Sequence, residues 1–176
     1  MTKENTMPMT LDTAQVTTPS VREVLVKRSF RAPRALVYRA FTDAELVRRW
    51  LLGPPGWSMP ICEMDVRVGG RYRWRWRSDD NQTEFGFTGA FREVQPPSKL
   101  VHTEAYDPGT VGGGHPESEA IVTVTFTEED ERTTVATLID FGSKEARDAA
   151  VATGMTDGME QSYQLLDRLV DEQRRS

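Results

Sequence analysis

Cysteine is nearly absent. Cys62 stands alone in 176 residues, so no intrachain disulfide can form and a thiolate zinc site lacks its ligands. Histidine is almost as scarce, with only His102 and His115. Metal binding would need more donors than these two and Glu104 supply, and neither a metal nor another cofactor is expected. Basic charge is short as well. The 22 Lys and Arg against 27 Asp and Glu leave a net charge of −5, which argues against a nucleic-acid partner, since that needs a clustered basic face. No apolar run approaches the roughly 20 residues that cross a bilayer, so membrane insertion is not expected. The first residues lack the basic-then-apolar order of a secretory signal. A reducing cytoplasm is the simplest location.

What the chain does have is alternation. At 38% hydrophobic and 28% charged residues it is composed like an ordinary globular chain, long enough for one self-sufficient core. Residues 1–20 show no periodicity and read as a disordered tail. Residues 21–172 read as one domain, without linker or repeat. From Val21 to Phe30, Val24, Val26 and Arg28 share a face, which predicts a strand that Ala32-Pro33 stops. Leu36, Val37, Ala40 and Phe41 then recur at helical spacing, and Thr42 or Asp43 can cap a second short helix ending near Trp50. Gly53-Pro54-Pro55-Gly56 is a loop that presents Trp57 and Met59.

Strand patterns then follow in series: Ile61 to Val68, Arg71 to Arg77, a run holding Phe85, Phe87 and Phe91, Leu100 to Tyr106, Ala120 to Phe126, and Thr133 to Asp140. The second is the clearest, with Tyr72, Trp74 and Trp76 facing one way. Its arginines, at 71, 73, 75 and 77, read as a solvated outer face paired with acids on adjacent strands. Ser143 is placed to cap a helix over Lys144 to Ala152, which Thr153-Gly154 interrupts. Met155, Met159, Ser162, Tyr163, Leu166, Leu169 and Val170 then form one apolar stripe, with Glu160 and Asp167 mainly on the opposite side.

About seven strands with one aromatic face need a cover, and one long amphipathic helix follows to supply it. A twisted antiparallel sheet curls around such a helix. Two arrangements fit the large flat rings that oppose Gly154, Gly158, Ser162 and the flexible Met155 and Met159. Either the rings fill the space, or a pocket remains for a flat or flexible apolar molecule.

Four segments resemble the START-like superfamily, specifically bacterial domains similar to the C-terminal domain of the activator of Hsp90 ATPase. The first runs from Ala32-Pro33-Arg34 through Phe41-Thr42-Asp43 to Trp50 and Gly53-Pro54. The second is Asp65-Val66-Arg67-Val68-Gly69-Gly70-Arg71-Tyr72. The third joins Gly89-Ala90-Phe91-Arg92-Glu93-Val94 to Pro96-Pro97-Ser98-Lys99-Leu100-Val101. The fourth holds Thr153-Gly154-Met155, Gly158-Met159-Glu160 and Ser162-Tyr163. The resemblance implies an α+β helix-grip fold, with a cavity under the last helix and two short helices after the first strand. Domains that look like this include lipid and polyketide binders, cyclases, co-chaperones and resistance proteins, so fold alone does not assign an activity. The eukaryotic co-chaperone carries another folded domain before this one, where only the short tail is expected here. That departure argues against an Hsp90-type chaperone as partner.

His102 and Glu104 share a strand face with Leu100 and Tyr106. A histidine beside a carboxylate can act as a general base, its pKa raised by the neighbouring charge. The same pair can instead stabilise the sheet or orient a ligand's polar end, and no third catalytic group is identifiable. His115, after three glycines, reads as a solvated loop residue. Cys62 reads as a small core residue.

The leading expectation is a binder of a small hydrophobic or amphipathic molecule, lipid, polyketide-like or aromatic. Around the ligand are expected Trp50, Trp57, Met59, Met64, Trp74, Phe85, Phe87, His102, Glu104, Tyr106, Met155, Met159 and Tyr163. The alternatives are a cyclase or hydrolase with His102 and Glu104 as acid/base candidates, and a protein-interaction module. A homodimer through an edge strand stays open.

Overall fold

Alternating side chains build one sheet of eight strands in the computed structural model, which describes residues 11–111 and 119–175. In chain order the strands are β1 (Gln15–Thr17), β2 (Glu23–Phe30), β3 (Trp57–Met64), β4 (Arg71–Ser78), β5 (Glu84–Gln95), β6 (Lys99–Asp107), β7 (Glu119–Glu129) and β8 (Arg132–Asp140). All neighbours pair antiparallel, in the order β1-β2-β8-β7-β6-β5-β4-β3. β3 to β8 lie side by side as a meander. β2 stands beside β8 because α1 (Arg34–Thr42) and α2 (Ala44–Trp50) carry the chain from one side of the sheet to the other. Asp43 caps α2, accepting from the Glu45 N–H at 3.0 Å. Ser143 caps α3 (Lys144–Ala152), and the long α4 (Met155–Arg175) follows the positive-φ Gly154.

The α+β class and the long terminal helix agree with the sequence reading, and two details of the sheet differ. There are eight strands rather than seven, and the extra one, β1, lies within residues 1–20. Three residues are too few to show a period. β3 starts at Trp57 instead of Ile61 and ends at Met64 instead of Val68. It contains Pro60, which a sheet tolerates only where an N–H is not needed. β3 is the sheet edge, and its register shifts between Ser58 and Ile61. Residues 65–70 fold back as a turn, held by the Arg67 carbonyl, which accepts from the Gly70 N–H at 2.8 Å.

Packing divides the sheet into two unequal halves. On one side Val24 and Val26 of β2, Val124 of β7 and Val135 of β8 are buried under Leu166 and Val170 of α4. On the other, a smaller cluster of Val47, Met59, Cys62 and Trp76 lies between α2 and the β3–β4 pair. α4 packs chiefly on α1, α2, α3 and β2. Trp74 of β4, Phe85 and Phe87 of β5 and Tyr106 of β6 therefore receive less cover than the valines of β2, β7 and β8.

One residue of the covered half is charged. Arg28 of β2 is 2% exposed. Its guanidinium donates to both Asp167 carboxylate oxygens, at 3.0 and 2.8 Å, and to both Glu160 oxygens, at 3.2 and 3.3 Å. It also lies 5.1 Å from the centre of the Phe30 ring. Glu160 and Asp167 thus turn beneath α4 and tie it to β2, which corrects their placement on the outer side. Fork-shaped pairing of this kind is directional and fixes the helix position. Truncating both acids, Glu160→Ala with Asp167→Ala, is expected to cost about 2 kcal/mol, because a buried guanidinium is left without a counter-charge. Arg28→Met is expected to cost less, since both acids can then turn back to water. Urea denaturation of the variants compares them, and the reverse ranking would remove the clamp.

Candidate functional site

Strands β4, β5 and β6 bring the sequence-expected rings onto the inner face of the less covered half. Register places Trp74 beside Phe87, Phe87 beside Tyr106, and Trp76 beside Phe85. Their rings touch edge to face or stacked: Trp76 and Phe85 at 5.4 Å, Phe87 and Tyr106 at 5.6 Å, Trp57 and Phe85 at 5.4 Å. Trp57, Met64, Trp74, Phe85, Phe87 and Tyr106 are each only partly buried. So are Met155 and Met159 on α4.

Besides His102, three expected site residues are buried and sit behind this surface. Trp50 is 2% exposed and donates its indole N–H to the Ala40 carbonyl at 2.8 Å. Tyr163 is 3% exposed, stacked on Trp50 at 6.1 Å and edge-on to Phe30. Met59 belongs to the smaller cluster. Ser162, also buried on α4, accepts from the Gly53 N–H at 2.8 Å and so anchors the Gly-Pro loop to the helix. Trp76 fastens the same segment by donating to the Leu51 carbonyl at 2.6 Å.

His102 lies at the centre of the rings of Tyr72, Trp74 and Phe91, at 5.0, 6.1 and 5.9 Å. The Tyr72 hydroxyl donates to the Thr103 carbonyl at 2.6 Å. The His102 Nδ1 is 3.1 Å from both the Tyr72 oxygen and that carbonyl. A carbonyl only accepts, and the Tyr72 proton is already committed, so Nδ1 carries the hydrogen and Nε2 is the lone-pair nitrogen. Burial pushes the His102 pKa down, keeping the ring neutral at neutral pH. The sequence expectation ran the other way, to a raised pKa; here loss of water outweighs the hydrogen bond to the Thr103 carbonyl.

Glu104, one residue pair along the same face, forms no hydrogen bond to His102. Burial alone pushes its carboxyl up to about 7, with no cation drawing it back. The indole N–H of Trp74 is also buried without a partner. Tyr72 reaches β6 because it crosses over Gly89 of β5, where a Cβ would fall 2.6 Å from the Tyr72 ring. Tyr72 and Gly89 were not among the expected site residues. Alternation with Trp74 signalled the side of the sheet that Tyr72 faces, but not what its hydroxyl does.

The other candidates fall elsewhere. His115 lies outside the described residues. Cys62 is buried, its thiol pushed up to about 11 by burial. On the outer face, Arg75 pairs with Glu84 at 2.9 Å and Asp107 at 3.1 Å, and Arg77 pairs with Glu84, as the alternation implied. Among the described residues no group of three His, Cys, Asp or Glu side chains is placed to hold a metal ion, and no helix is long and apolar enough to cross a membrane.

A family model described as activator of Hsp90 ATPase homolog 1-like protein matches residues 31–171. A crystal structure of a protein from Rhodobacter sphaeroides is 30% identical, over 92% of this chain and 99% of that one, with a TM-score of 0.82. One from Chromobacterium violaceum is 25% identical, over 86% of this chain and 98% of that one, at a TM-score of 0.73. A Mycobacterium smegmatis protein shares the fold at 18% identity, over 90% and 96% of the two chains, with a TM-score of 0.79. The comparison with curated proteins finds no match.

Proposed function

The chain belongs to the activator of Hsp90 ATPase homolog 1-like family, and from that premise we propose that it binds a small hydrophobic or amphipathic molecule between the rings of β4–β6 and the first half of α4. The observation that supports this most is the split packing of the sheet. The valines of β2, β7 and β8 are sealed by α4, while Trp57, Trp74, Phe85, Phe87 and Tyr106 stay partly open on the same concave side. Rings of this size gain from further burial, at about 25 cal/mol per Å² of apolar surface covered. Met155 and Met159 offer an adaptable surface across from them. Gly158 adds room there, since a Cβ on it would meet nothing within 4 Å. Trp50, Met59 and Tyr163 serve as the rigid backing, and His102 with Glu104 as the polar end.

The test combines two measurements. Native mass spectrometry of the purified protein is expected to show a co-purified compound, and titration with lipids and flavonoids to change tryptophan fluorescence saturably at one molecule per chain. His102→Ala is expected to weaken a long-chain alcohol about ten-fold, the value of one hydrogen bond to a buried acceptor. Absence of any saturable response would end the binding reading, and an unchanged alcohol affinity would take His102 out of the site.

A further inference from the structure

We propose that the molecule bound in this cleft is a cationic amphiphile, an apolar body ending in a protonated amine whose ammonium sits between the Glu104 carboxylate and the His102 Nε2. The inference rests on the binding reading above and narrows it to one head-group chemistry. Glu104 faces Ala120 of β7 in register, and on the β5 side Gly89 follows the Thr88–Ala105 pair, so its strand neighbours are small. Along β6 it stands between His102 and Tyr106, in a face that also carries Tyr72, Trp74 and Phe87. Among the described residues its carboxyl has neither a hydrogen bond nor an ion pair.

Apart from the Trp74 indole N–H, the polar atoms on offer are acceptors. Nδ1–H of His102 and the Tyr72 hydroxyl are spent on each other and on the Thr103 carbonyl. The Trp74 indole N–H is buried away from solvent. That leaves a carboxylate and one imidazole lone pair. A carboxylate or phosphate head group would find one donor, the Trp74 indole N–H, and a like charge wherever Glu104 is ionised. An ammonium has three donors and no acceptor, the complement of this set, and the surrounding ring faces attract cations as well.

Among the described residues no cation of the protein already fills the role. Arg28 of β2 is engaged by Glu160 and Asp167 of α4. Arg75 and Arg77 of β4 are held by Glu84 and Asp107 on the outer face. Lys99 of β6 pairs with Glu93 of β5, and Arg92 of β5 with Glu119 of β7. Tyr72 of β4 is neutral, its hydroxyl pushed up by burial first and then by Glu104 and Glu119. On α4, Asp157 is exposed. The carboxyl, raised to about 7 by burial, loses its proton when an ammonium arrives, so amine binding strengthens as pH rises.

The test titrates the full chain with decylamine, decanol and decanoate, read by tryptophan fluorescence at pH 5.5 and pH 8. The amine is expected to bind about ten-fold or more tightly than the alcohol at pH 8, the range of a charge-assisted hydrogen bond, and decanoate weakest. Between pH 5.5 and 8 the amine affinity is expected to rise about ten-fold. Glu104→Gln is expected to bring the amine down to the alcohol's level. Alcohol or decanoate binding as tightly as the amine, or an amine preference that survives Glu104→Gln, overturns the inference while leaving the binding reading in place. No saturable response to any of the three overturns both.

Discussion

Replacing Gly89 by alanine is expected to destabilise the protein by about 3 kcal/mol or more, the upper range for overpacking a well-filled interior. The added Cβ would sit 2.0 Å from the Thr103 carbonyl oxygen and 2.6 Å from the Tyr72 ring. The first contact is with the backbone of the neighbouring strand, which a side-chain rotation cannot relieve. The second is with the ring that crosses β5 to reach that same oxygen. Both Tyr72 and the His102 Nδ1–H bond to it, so the substitution disturbs the Tyr72–His102 contact together with the sheet. Urea denaturation gives the stability change, and near-ultraviolet circular dichroism follows the Tyr72–Trp74 pair, whose rings lie 4.4 Å apart. Gly158→Ala is the control, because its Cβ meets nothing within 4 Å and alanine favours a helix interior. Equal behaviour of the two variants would show that Tyr72 does not need the gap at Gly89.

The second large effect is on pH dependence. Glu104 has a folded-state pKa of about 7 against an ordinary value of 4.5, so the native chain holds a proton that the unfolded chain has released. Stability from this group is present in full below about pH 4.5 and is lost as pH rises through about 7. The rise corresponds to about 3 kcal/mol. Glu104→Gln carries no such proton, and is expected to flatten the fall in stability between pH 4.5 and 8 and to be the more stable form at pH 8. Melting temperatures of both proteins across this range measure it. Parallel pH profiles would mean that the carboxyl is hydrated in the folded state.

Much of the sheet was legible because alternation is a local property. The Tyr72-Trp74-Trp76 run and the arginines between them fell on the two faces that their spacing assigns. β1 escaped notice because three residues carry no period. The start of β3 escaped because Pro60 reads as a stop, and only an edge strand makes it acceptable. The clamp on Arg28 was invisible for another reason. Helical periodicity sorts residues by angle, but Glu160 and Asp167 at the boundary of the stripe turn inward only when a buried guanidinium waits there.

The site shows the same division. Composition and periodicity gave the antiparallel strands, the long terminal helix, the aromatic face of β4 to β6, and the placing of His102 with Glu104 on one strand face, since each depends on residue type and near-neighbour spacing. The protonation behaviour of that pair was settled only by tertiary structure. A pKa follows the water and charge around a group, and these come from β4, β5 and β7, up to 30 residues away in the chain. Sequence names the residues on the inner face of β4 to β6; the fold decides which of their hydrogens and lone pairs are left without a partner.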